Sequence, residues 1–204
     1  MRARCRSRLS AGWLILCFCW PLVAQAAALA KPVSPAATQQ PSAGSEAPGP
    51  GLAAYLSAYQ LIEEVKRLNQ AKDFPAAIET GRKAYQLLEA HQLSPADIRR
   101  LAASMPQGEQ LKRASPRLFQ AALMLPLISE LGAAFEATAD YPQVISLVLL
   151  FNTVTEQLSD NDWSVIATLL TAPGGAPPSP MLLKQTFQLM GGYLLSNAYG
   201  ISGE

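Results

Sequence analysis

From Leu52 onward, apolar residues recur at helical spacing. Leu52, Tyr55, Leu56, Tyr59, Ile62, Val65 and Leu68 follow one another every three or four positions. That spacing gathers them on one face of a helix. After Pro75 the pattern resumes with Ala77, Ile78, Ala84, Tyr85, Leu87 and Leu88. No stretch alternates with period two for long. The best strand candidate, Val144 to Leu150, continues apolar through Phe151 and Val154 and reads as a buried helix.

Polar punctuation marks the helix starts. Ser94-Pro95, Ser115-Pro116 and Ser179-Pro180 each set a hydroxyl before a proline. A hydroxyl at that place accepts from a first-turn N–H, and proline at the first helical position loses no bond. Asp97 then puts an acid in the first turn, where the helix dipole favours it. Asp73-Phe74-Pro75 and Asp140-Tyr141-Pro142 predict two more starts, and Asp160-Asn161-Asp162 a third. The last lacks the glycine and distant glutamate of a calcium loop, so it reads as a cap. Seven helices follow, near residues 52–71, 74–91, 95–104, 116–137, 141–157, 161–171 and 180–198.

These helices fall into register with one another. Asp73, Phe74, Pro75 and Ile78 match Asp140, Tyr141, Pro142 and Ile145 at a spacing of 67. After a two-residue deletion, Gln92-Leu93-Ser94 and Asp97-Ile98 match Gln157-Leu158-Ser159 and Asp162-Trp163. Glu64-Val65 matches Glu130-Leu131, and Ser115-Pro116-Arg117-Leu118 matches Ser179-Pro180-Met181-Leu182. Fixed spacing of this kind predicts stacked units sharing one core, here about seven helices in two and a half repeats. The helix at 141–157 is apolar all round, so it is expected in the middle, covered by the helix at 180–198.

Within the first unit, Leu61, Leu68, Phe74, Ala77 and Ala84 occupy large, large, aromatic, small and small positions. In that respect residues 58–91 resemble a tetratricopeptide unit. Val65 stands where that motif prefers Gly or Ala, and the second copy has Val144 and Phe151 in place of the two alanines. The resemblance implies an all-α, right-handed helical-hairpin solenoid that binds peptides or proteins. It implies no chemistry.

The first fifty residues belong to a different pattern. Arg2, Arg4, Arg6 and Arg8 precede an apolar run from Ala11 to Val23, with small residues after it. Residues 1–26 therefore read as a secretory signal, with a second cleavage point after Ala30. If it were retained, the same segment would hold the chain at a membrane. Residues 27–50 are rich in Pro, Ala and Ser, the composition of a disordered linker, and residues 51–204 form the helical domain. All 3 cysteines, Cys5, Cys17 and Cys19, lie in the signal. The mature chain then has no thiol for a disulfide, a nucleophile or a metal. Loss of the signal's four arginines leaves 12 bases against 15 acids, a net charge of −3.

Charge and chemistry narrow the function further. A near-neutral balance gives no electrostatic footprint for nucleic acid. His91 is the only histidine, so neither a transition-metal site nor a catalytic pair is expected, and no cofactor is implied. Arg82-Lys83, Arg99-Arg100 and Lys112-Arg113 are candidates for a basic edge. The helix at 180–198 carries a single charge, Lys184, among Leu182, Leu183, Phe187, Leu189, Met190, Tyr193 and Leu194. The expected function is an exported, non-enzymatic adaptor, periplasmic or secreted, that binds an envelope or secretion-system protein. Its candidate contact residues are Tyr55, Tyr59, Arg99, Arg100, Phe187 and Tyr193, and its last helix is a candidate for self-association. Two alternatives remain beside it. One is a cell-wall glycan enzyme or inhibitor using Glu130, the other a carrier of a lipid or hydrophobic ligand between the helices at 141–157 and 180–198.

Overall fold

A computed structural model describes residues 49–103, 108–171 and 175–202. The expected signal, and the expected linker up to residue 48, lie outside the described residues. Among those residues there are eight helices and no strand. They are α1 (Pro50–Gln70), α2 (Phe74–Ala90), α3 (Pro95–Ala103), α4 (Gly108–Leu111), α5 (Pro116–Ala137), α6 (Tyr141–Glu156), α7 (Asp160–Leu169) and α8 (Pro180–Ser202). The seven expected helices are present with starts shifted by two residues or fewer. The one-turn α4 is additional, and α8 runs four residues further than expected.

The two long hairpins turn in the same way. After α1, Ala71, Lys72 and Asp73 donate backbone N–H groups to the carbonyls of Arg67, Asn69 and Leu68. After α5, Thr138, Ala139 and Asp140 donate to Ala134, Glu136 and Phe135. Lys72 and Ala139 both sit in the left-handed region, at φ 61° and 59°. The Asp73 side chain then accepts from Ala76 N at 3.3 Å and caps α2. Asp140 has the same backbone angles, but its side chain makes no cap bond.

α5 is the centre of the domain. It packs against α1, α2 and α6, while α8 packs on α6 and α7. Fourteen of its residues are buried, from Leu118 to Phe135 and including Pro126. It is long and apolar enough to cross a membrane, yet most of it is buried among its neighbours. This corrects one expectation. The helix at 141–157 was expected in the middle because it is apolar all round. α8 does cover it, but Leu149 is 48% exposed and Leu147 and Leu150 are half-buried. Three neighbours surround α5, whereas α6 has α5 on one side and α8 on the other, which leaves part of its apolar surface open.

Small residues set how closely these helices approach. A Cβ on Gly81 of α2 would lie 2.4 Å from Leu131 Cδ2 of α5, and one on Gly51 would lie 2.4 Å from the Gln92 carbonyl oxygen. Ala58, Ala77, Ala84 and Ala134 are fully buried around the same crossings.

Buried carboxylates fasten the short helices to the long ones. At the start of α7, Ser159 and Asp162 form a reciprocal capping box, so the cap is Ser159 rather than the Asp160-Asn161-Asp162 run. Asp162 also reaches across 47 positions of sequence. Its carboxylate accepts from Ser115 N at 3.0 Å and Ser115 Oγ at 2.9 Å, as well as from Ser159 N at 3.1 Å and Ser159 Oγ at 2.7 Å. Asp97 makes the corresponding local box with Ser94, with Ser94 Oγ donating at 2.7 Å. Gly49, at the start of α1, lies so close that a Cβ there would be 3.0 Å from Asp97 Oδ1. Burial alone would raise the Asp162 carboxyl, but the hydrogen bonds from Ser159 and Ser115 outweigh it and hold the group below its ordinary value.

Two outcomes follow from these contacts. Because the left-handed region costs an L-residue about 1 kcal/mol, Lys72→Gly and Ala139→Gly should each raise stability by about 0.5–1 kcal/mol in urea unfolding. The depressed Asp162 carboxyl contributes stability above its unfolded value, and that stability is lost as pH falls through its lower folded value. Asp162→Asn should therefore lower stability at neutral pH by about 2 kcal/mol. It should also flatten the acid limb of the stability profile below about pH 4.

Candidate functional site

Among the described residues, five of the seven exposed large hydrophobic side chains lie on α8. Leu182, Leu189 and Tyr193 are 63%, 76% and 53% exposed, and Met181 and Tyr199 join them. The inner face of the same helix is packed. Phe187 stacks on Phe151 of α6 at 6.2 Å and meets Trp163 of α7 edge-on at 5.3 Å. Leu194 and Ala198 are fully buried. The two neighbouring glycines divide between these faces. A Cβ on Gly191 would lie 1.8 Å from Asn152 Oδ1, while one on Gly192 would meet nothing within 4 Å. Gly191 thus lets α8 approach α6. α8 runs without interruption through both glycines.

A groove of ≈ 550 Å³ runs between α7 and the first half of α8. Trp163 lines it, with Met181, Gln185 and Gln188 along the α8 side. Asp160 and Lys184 belong to the same lining and form an ion pair across it, with Nζ 3.2 Å from Oδ1. Trp163 is 1% exposed, and its Nε1 is buried with no hydrogen-bond partner among the described residues. A second, smaller groove of ≈ 260 Å³ lies on the other side of Ser164, between α4 and α7.

The residues expected to contact a partner do not gather in one place. Tyr55 is buried, edge-on to Phe119 at 6.4 Å, and its hydroxyl is pushed well above the ordinary tyrosine value by burial. Its ring belongs to the core, with one edge in a small cavity of ≈ 20 Å³ beside His91 and Gln120. Tyr59 is half-buried, and burial with the neighbouring Glu63 carboxylate pushes its hydroxyl up to about 12. Arg99 is exposed and Arg100 half-buried on α3. Phe187 is half-buried on α8 against Phe151 of α6 and Trp163 of α7, and Tyr193 alone of the six stands on the open α8 face.

The rest of the candidate chemistry resolves into local contacts. Lys83 pairs with Glu79 at 2.7 Å within α2, and Lys112, just past the end of α4, pairs with Glu109, so two of the six cations of the expected basic edge are paired close by in sequence. Exposed pairs of this kind contribute little to stability. Glu130 accepts from Asn69 Nδ2 at 2.9 Å through its carboxylate and again through its backbone carbonyl. That ties α5 to the end of α1. Among the described residues no group of three or more His, Cys, Asp or Glu could hold a metal.

No sequence pattern predicts the groove beside Trp163. One local signal lies beside it: Asp162-Trp163 aligns with Asp97-Ile98, so an aliphatic residue in one half is an indole in the other. Packing on the inner face of α8 should be sensitive to single methyl groups. Gly191→Ala should destabilise the domain by about 1–3 kcal/mol through overpacking, whereas Gly192→Ala should stabilise it by about 0.5–1 kcal/mol through helix propensity. Thermal melts of the two variants check the contrast. Against known proteins, no family model, no curated protein and no solved structure matches this chain.

Proposed function

We propose that this chain is an exported, non-enzymatic adaptor whose docking surface is the outer face of α8. The observation that carries the reading is a helix with a packed inner face and an open apolar outer one. Leu182, Leu189 and Tyr193 form that outer face on a helix with a single charge, Lys184. Contiguous exposed apolar surface of this kind marks protein contact. The arginine-rich start and apolar run of residues 1–23 support export.

Two features support a helical-hairpin solenoid similar to tetratricopeptide arrays. The first is the pair of matching turns, at Lys72-Asp73 and Ala139-Asp140, with matching capping boxes at Ser94-Asp97 and Ser159-Asp162. On this reading α1 to α3 and α5 to α7 are two copies, and α8 opens a third. The second is the full burial of Ala77 and Ala84, the two small positions of the motif. Glu130 is engaged by Asn69, which favours a structural role over glycan hydrolysis. The contact between α6 and α8 is filled by Phe151, Phe187 and Leu194, which favours an adaptor over a carrier with a cavity there.

The test compares the tagged full chain with Leu189→Asp and Tyr193→Asp variants in crosslinking from envelope extract. A specific partner should be recovered with the parent chain and reduced at least tenfold by either variant, with unchanged helical circular dichroism. A second copy of the chain is itself an admissible partner, seen as a dimer by light scattering. Equal recovery from parent and variants would overturn α8 as the docking surface.

A further inference from the structure

We infer that the outer face of α8 pairs with the same face of a second copy of this chain, the two helices running antiparallel about a twofold axis between Leu189 and Gly192. The inference rests on the reading of that face as the docking surface and names what docks there.

The face repeats with the period of a helix-pairing seam. Leu182, Gln185, Leu189, Gly192, Ser196 and Tyr199 follow one another in alternating steps of three and four, and all six are exposed. Such spacing keeps one stripe of a helix against one stripe of its partner. The stripe carries no charge, because Lys184 lies off it and pairs with Asp160 at 3.2 Å. A second copy brought against it meets no like-charge repulsion.

Reversing one stripe on the other sets large side chains against small ones. Leu189 then faces the partner's Gly192, Gln185 the partner's Ser196 and Leu182 the partner's Tyr199. A Cβ on Gly192 would meet nothing within 4 Å, so the domain leaves a hollow there that a leucine can enter. Glutamine and serine can hydrogen-bond to each other, and leucine and tyrosine bury apolar surface. A parallel pairing would instead set leucine on leucine at 189 and glycine on glycine at 192, a bulge beside a void. Large against small is the arrangement that packs.

The rest of the surface favours self-pairing over a head-to-tail stack. Stacked helical arrays normally end on polar faces. α1 and α2 expose Ser57, Gln60, Glu79, Arg82, Lys83 and Gln86, and none of the exposed large hydrophobic side chains lies on either helix. Stacking α8 on them would press an apolar stripe onto charge. The surface that matches α8 is α8 itself, and a twofold axis closes the contact at two copies. Area is sufficient for this. Met181, Leu182, Leu189, Tyr193 and Tyr199 are 38–76% exposed. At about 150–250 Å² for a side chain of this size, two copies bury on the order of 1,000 Å². That reaches the lower bound of a specific interface, so the pairing is reversible rather than obligate.

Sedimentation velocity of the purified full chain over a concentration series should show a monomer–dimer equilibrium. Leu189→Asp should weaken it at least tenfold with unchanged circular dichroism. Gly192→Phe should do the same by filling the hollow, although nothing in the domain touches that position. Gly192→Ala, whose methyl helps the isolated helix, takes part of the same room and should weaken pairing severalfold. Leu189→Gly alone should weaken the dimer about tenfold, and adding Gly192→Leu should restore it to within about threefold of the parent, because each position faces the other across the axis. A chain that stays monomeric would overturn the inference, as would a dimer indifferent to Leu189→Asp. A dimer that the combined exchange fails to restore would overturn the antiparallel register. If α8 docks a different protein, the purified chain is monomeric while capture from envelope extract still falls with Leu189→Asp. If α8 docks nothing, neither assay responds to that variant. A monomer that binds phosphatidylethanolamine–phosphatidylglycerol vesicles, and loses them with Leu189→Asp, would replace the second copy by a lipid surface.

Discussion

The buried carboxylate of Asp162 is the constraint on which the arrangement of the second half depends. It sits in the first turn of α7, yet two of its four hydrogen bonds come from Ser115, at the start of α5. A local cap and a long-range clamp are thus the same group. The geometry works because a carboxylate has more acceptor capacity than a capping box uses. Ser159 takes one share and Ser115 the other, and both helix N-termini place partial positive charge beside it. Asn161 adds a second tie to the same region, donating to the Arg113 carbonyl at 2.7 Å. With the start of α7 held against the start of α5, Trp163 has to point toward the space that Phe187 of α8 fills.

Close approach is the second constraint, and it is carried by what is missing from side chains. α2 reaches α5 over Gly81, and α8 reaches α6 over Gly191. Alanines at the crossings are fully buried, so the helices meet with little between them. Polar contacts then hold the ends of α1 and α2 to α5, as Asn69 does with Glu130 and Gln120 with the Leu88 carbonyl. Together these place α5 at the centre and leave α8 with one face in and one face out.

The helices were readable from sequence because their signals are local. Ser115 and Ser159 accept from backbone N–H groups three residues on, and Pro116 stands at the first position of its helix. Such bonds depend on neighbours in the chain, so spacing alone reveals them. Candidate contact residues were harder. Tyr55 and Tyr193 look alike as aromatic residues on apolar helices, yet one packs on Phe119 and the other faces outward. Periodicity says which residues share a face. It does not say which neighbour covers that face or how much of it.

What the sequence determined by itself was therefore one-dimensional: where the seven longer helices begin, that no strand competes, and that residues 51–204 differ in composition from the chain before them. Tertiary structure decided the rest. It chose α5 over α6 as the buried centre, because three helices surround the first and two the second. It separated Gly191 from Gly192, because a 100° step on a helix turns one toward Asn152 and the other toward open space. It made Asp97 and Asp162 buried fasteners rather than surface acids, because the partners that desolvate them lie tens of residues away. Those outcomes rest on long-range packing, and no local pattern carries that information.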